Sequence, residues 1–125
     1  MLRTLLLIGL GGFLGSISRF LIALGMNRVF QSVLPIGTLF VNILGCLLIG
    51  IIYSLAEQKN MLSPELRVFL SVGFCGGFTT YSSFAFEKFN LIKTGDFLLL
   101  AVYLGASVFL GLIAVYAGSQ IHKLF

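Results

Sequence analysis

The chain has 125 residues, 58% of them hydrophobic and only 10% charged; soluble domains carry about 25% charged residues, so the composition excludes a water-soluble fold. Its net charge of +4 rests on eight basic residues scattered over the termini, loops and span ends, which suits lipid headgroups rather than nucleic acid. No nucleophile, base and metal set stands together, which leaves enzymatic chemistry without support.

A helix crosses the hydrocarbon core with about 20 apolar residues. Four stretches qualify, at about 4–26, 34–56, 68–86 and 97–121, and they use nearly the whole chain. They predict an all-α integral membrane protein of four transmembrane helices, forming a single membrane domain over residues 1–125.

The first stretch opens like a signal peptide, with Met1-Leu2-Arg3 before an apolar run, but the run continues past Gly15-Ser16 and three more spans follow. An uncleaved span is the better reading. Ile8-Gly9-Leu10-Gly11-Gly12-Phe13-Leu14-Gly15 also resembles the glycine turn of a dinucleotide-binding fold, which needs an acid about 20 residues later. The first acid is Glu57. Gly11 and Gly15, four apart on one face, predict close helix packing instead.

In the second stretch Thr38, Asn42 and Cys46 are spaced by four and stack along one face of an otherwise apolar helix. An unpaired primary amide in hydrocarbon costs about 2–7 kcal/mol on transfer scales, so Asn42 must meet another helix, water or a ligand. Cys46, and Cys75 in the third stretch, read as small packing residues rather than a disulfide or metal site.

The third stretch reads Gly73-Phe74-Cys75-Gly76-Gly77-Phe78-Thr79-Thr80-Tyr81-Ser82-Ser83-Phe84. Adjacent glycines lower helix propensity, and the hydroxyls after them offer partners to freed backbone groups. A helix broken in mid-membrane is predicted, tolerated only where protein or a cavity surrounds it. Ser82, Ser83 and Asn42 supply neutral donors, and the rings of Tyr81 and Phe84 have positive edges; together they suit an anion. No Lys or Arg is expected among them, and a fixed cation would slow the exit of a small anion.

In the fourth stretch Tyr103 and Ser107 share a face and either extend this polar track or, for Tyr103, anchor the helix at the interface. Ala101 with Gly105 and Ala114 with Gly118 predict close helix contacts. His122, with no carboxylate, Cys or second His nearby in sequence, reads as solvated or interfacial.

With both termini on one side, Arg3, Lys59, Arg67 and Lys123 stand against Arg19, Arg28, Lys88 and Lys93 on the other. A four-to-four balance gives insertion no direction, so dual topology is expected. Four short helices can hardly enclose a hydrated path, and an antiparallel pair with a two-fold axis in the membrane plane would use both orientations.

Along essentially its whole length the sequence resembles the Fluc (CrcB) family of microbial fluoride channels. The carriers are Gly11-Gly12 and Arg19, then Gly37-Thr38-Leu39-Phe40-Val41-Asn42, then Gly76-Gly77-Phe78-Thr79-Thr80-Tyr81-Ser82-Ser83-Phe84. The resemblance implies a passive fluoride exporter in the cytoplasmic (inner) membrane, built as an antiparallel dual-topology homodimer with two pores. It implies that Asn42 is the pore asparagine, that Ser82 and Ser83 are the hydroxyls of the polar track, that Tyr103 and Ser107 match polar positions of the fourth helix, and that Phe84 is the second of two pore phenylalanines. Tyr81 replaces the other, a phenylalanine in the family. Arg19 matches a basic vestibule position, while Glu87 matches an acidic position of unsettled role. A structural Na+ at the dimer interface is implied as well, held by the backbone carbonyls of Gly76 and Thr79. The rivals are a small proton-coupled exporter, which needs a carboxylate in its first helix that this chain lacks, and a packing subunit in which the polar residues are glue.

Overall fold

The computed structural model describes residues 1–31 and 36–124, all of whose regular structure is helical. Helix α1 spans Leu2–Val29 and α2 spans Ile36–Gln58. Positions 34 and 35, where the second predicted span begins, lie outside the described residues. The third segment is composite: α3 (Pro64–Val68), a π-helical stretch (Phe69–Cys75), α4 (Gly76–Phe78) and α5 (Ser82–Lys93). Then α6 runs from Phe97 to Ser119, and a 3-10 turn covers Ile121–Leu124. Among the described residues three helices are long and apolar enough to cross a membrane, namely α1, α2 and α6 with its 3-10 extension.

Local sequence explains where the third segment starts. Ser63 accepts a hydrogen bond from the Leu66 amide at 3.1 Å, Pro64 occupies the first turn, and Glu65 follows it. Cap, proline and acid are the favoured choices for a helix N-terminus. The segment runs on to Lys93, beyond the predicted end at 86, because Leu91 is buried and Lys88 is covered.

Glycines set the packing. Helix α1 lies on the π-helical stretch and α4 so closely that a Cβ on Gly11 would strike the Phe69 carbonyl and the Gly73 Cα, and one on Gly15 the Phe74 carbonyl. Helices α2 and α6 cross at Gly50 and Gly118, where a Cβ on either would overlap backbone of the other helix. Backbones approach this closely only over small residues. The Ala114–Gly118 face is therefore buried, whereas Ala101 and Gly105 are exposed, with open space beside Gly105. Val41, Phe78 and Tyr103 are the most deeply buried large side chains, and the Phe74 and Phe78 rings stack at 5.6 Å.

Ion pairs Arg3–Glu65 at 3.2 Å and Arg67–Glu57 at 2.9 Å place the starts of α1 and α3 beside the end of α2. The same end corrects the expectation for His122. It is half-buried, with Nδ1 2.8 Å from the Ser54 hydroxyl and its amide donating to that oxygen at 3.2 Å. Ser54 is buried within apolar α2, so the contact supplies a partner that a buried hydroxyl needs. The outer faces of α1 and α6 expose Leu6, Leu10, Phe13, Phe20, Phe109 and Leu112. Apolar surface on this scale calls for lipid or protein cover.

Candidate functional site

The helix of the third segment stops after Phe78. Thr79 is extended, at φ −89° and ψ 158°, and helix resumes at Ser82. In an unbroken α-helix the Thr80 amide would bond to the Gly76 carbonyl; here it donates to Asn42 Oδ1 at 2.9 Å. Asn42 Nδ2 in turn donates to the Thr80 carbonyl at 3.0 Å. One side chain on α2 thus satisfies both backbone groups of Thr80, which explains why an amide sits in that apolar helix. The Arg19 Nε donates to the Gly77 carbonyl at 3.1 Å, so this cation reaches the interruption itself. The Thr80 hydroxyl also accepts from the Ser83 amide, in the first turn of α5, at 3.2 Å.

Beside the interruption lies an open groove of ≈ 530 Å³, lined by Asn42, Cys46, Gly76, Thr79, Tyr81, Phe84 and Ser107 among others. Its surface is mainly apolar, so its few polar atoms matter. The Asn42 amide has two N–H donors and gives one to Thr80. The Ser107 hydroxyl is buried without a hydrogen-bond partner, a state that calls for a ligand or water. Ser83 is half-buried and Ser82 exposed, with Ser82 Oγ 3.4 Å from the Thr80 hydroxyl.

Aromatic rings continue from the groove into the protein. Tyr81, on the open side, stacks on Phe84 with centroids 6.1 Å apart, and Phe84 meets the buried Tyr103 at 6.2 Å. Behind them Thr38 donates to Glu87 Oε2 at 2.6 Å, so both residues belong to the same cluster.

The expectation that no cation stands among these groups is corrected. Lys88 is only 6% exposed, and its Nζ lies 3.8 Å from the Phe84 ring centroid and 3.3 Å from that of Tyr103. It reads as a span-end charge in sequence, but its position four residues after Phe84 puts it on the same face of α5. That spacing was the available signal. Thr80, the partner of Asn42, was also missed, because a contact between residues 38 apart has no local signature.

The profile described as CrcB-like protein, Camphor Resistance (CrcB), matches residues 6–119. The chain belongs to the CrcB family. Its CrcB relatives include the fluoride-specific ion channel FluC of Chlorobium chlorochromatii (strain CaD3), 49% identical over 91% of this chain and 88% of the relative. That of Campylobacter jejuni subsp. jejuni serotype O:2 is 44% identical over 98% of this chain and its own full length. That of Azobacteroides pseudotrichonymphae is 38% identical with both chains covered completely. Among the described residues of this CrcB chain, no group of three or more His, Cys, Asp or Glu side chains could hold a metal ion.

Proposed function

We propose that this chain is a fluoride-specific channel that passes the ion passively out of the cell, and not an enzyme. It works as an antiparallel, dual-topology homodimer in the cytoplasmic membrane, with two pores, each lined by both subunits. The four spans are α1, α2, the composite third segment and α6, and the interruption at 79–81 lies at mid-membrane depth.

One observation carries the reading: a buried, unpaired Ser107 hydroxyl in an open groove lined by Asn42 and Phe84, in a chain whose full-length relatives are named fluoride-specific ion channels. Fluoride leaving water needs hydrogen-bond donors, and the free Asn42 N–H, the Ser107 hydroxyl and the ring edges supply neutral ones, with the Lys88 ammonium behind the Phe84 ring. Asn42 serves twice, since its bonds to Thr80 hold the amide in place for the N–H that remains. The groove is open on one side, and a second copy supplies the missing wall.

A structural sodium fits the interruption. The Thr80 amide is diverted to Asn42, away from the Gly76 carbonyl, and Thr79 is extended out of the helical pattern. Gly76 is exposed with open space beside it. Carbonyls of Gly76 and Thr79 would hold the ion, which supplies positive charge that ties two interrupted segments together. A high-resolution structure in sodium with no density between these carbonyls overturns the site.

The deciding experiment follows anion efflux from liposomes containing the purified protein, with electrodes for fluoride and chloride. Fluoride efflux with little chloride, and without a proton gradient, is expected. Equal chloride flux refutes selectivity, dependence on a proton gradient favours the exporter, and no flux of either ion leaves a packing subunit.

A further inference from the structure

Lys88 is not needed to close the groove, yet it is the most unusual charge in the protein. Its side chain is 7% exposed, and an ammonium has three N–H donors to satisfy. It meets the Phe84 carbonyl at 3.5 Å and Glu87 Oε1 at 4.0 Å. Good charge-assisted bonds are about 2.7–2.9 Å long, so neither contact engages the ammonium fully. Glu87 Oε1 itself is buried without a hydrogen-bond partner.

Position adds to this. Lys88 stands four residues after Phe84 on α5, on the same face and about 6 Å further along the axis. Phe84 lines the groove, and the Lys88 Nζ lies against both the Phe84 and Tyr103 rings. The groove lining ends at Phe84, and behind that ring stands a buried cation held only by ring faces and two long polar contacts. Resting on the channel reading above, we propose that the Lys88 ammonium is a fluoride-binding station one helical turn beyond Phe84. Glu87 is the charged group packed against it and competes with the anion for the same donors, while the two ring faces spread its charge. These two effects keep binding moderate enough for the ion to leave.

Two measurements separate this station from the channel reading itself. The first titrates sodium fluoride calorimetrically into the detergent-purified wild type, Lys88→Met, Lys88→Gln and Lys88→Arg, each checked for wild-type elution by size exclusion. Loss of a hydrogen bond to a charged group corresponds to a rise in Kd of about tenfold or more. That rise is expected in the Met and Gln variants, and Arg, which keeps the charge, recovers most of it. The Gln variant retains a polar side chain of similar reach should Met fail to fold. Wild-type affinity in either neutral variant, or no fluoride uptake by the wild type, overturns the station.

The second measurement is the rate of fluoride efflux against fluoride concentration in liposomes. Lys88→Met conducts, with its half-saturating concentration raised in step with the Kd. An unchanged half-saturation overturns the station. Lys88-dependent binding in a protein that passes no fluoride leaves the station standing and removes the channel.

Discussion

At Asn42 a single side chain meets both the N–H and the C=O of Thr80. Asn42→Ala leaves two half-buried backbone groups without their partner, at up to about 1–3 kcal/mol each where water does not replace it. Earlier thermal loss of the monodisperse peak, together with loss of fluoride efflux, is expected; a variant as heat-resistant as the wild type refutes the clasp. Phe84→Ile keeps an apolar side chain but removes the ring edge, and efflux should fall by about tenfold, the scale of aromatic interactions. Efflux at the native rate in a well-folded variant makes Phe84 packing only. Asn42 was legible in sequence because an amide in an apolar helix demands a partner. Which partner was not legible, since Thr80 lies on another element. Lys88 was hidden for the opposite reason: a lysine next to Glu87 at the end of an apolar run looks solvated until Phe84 and Tyr103 are seen to enclose it.

The elements stand on glycine contacts that differ sharply along α6. Gly118 meets backbone of α2, while nothing lies within 4 Å of a Cβ placed on Gly105. Gly118→Val should cost more than the roughly 1–3 kcal/mol typical of overpacking, since backbone cannot yield as a side chain does. Size exclusion of the purified protein should show aggregation for Gly118→Val but a wild-type profile for Gly105→Ala; equal behaviour would contradict the crossing. Apolar runs gave α1, α2 and α6 to within a few residues, because length and hydrophobicity decide a span. The third segment was harder. Its π-helical stretch runs against Gly11 and Gly15 of α1, and a change of helical pitch fitted to a distant helix leaves no periodicity to read. Its second half carries Glu87, Lys88, Asn90 and Lys93 among its apolar residues, which interrupts the run that marks a span.

For the whole molecule the balanced charge count predicts two orientations in one membrane. An impermeant thiol reagent applied to intact cells should modify about half of the molecules carrying a cysteine introduced near the C-terminus. Labelling of all or none refutes the antiparallel arrangement. Helix α5 packs chiefly on α6 and only sparsely on α2, and its consequence concerns biogenesis. With Glu87, Lys88, Asn90 and Lys93 among its residues, α5 depends on α6 for its docking surface, so a chain truncated before α6 should leave α5 open to added protease while the full-length chain protects it.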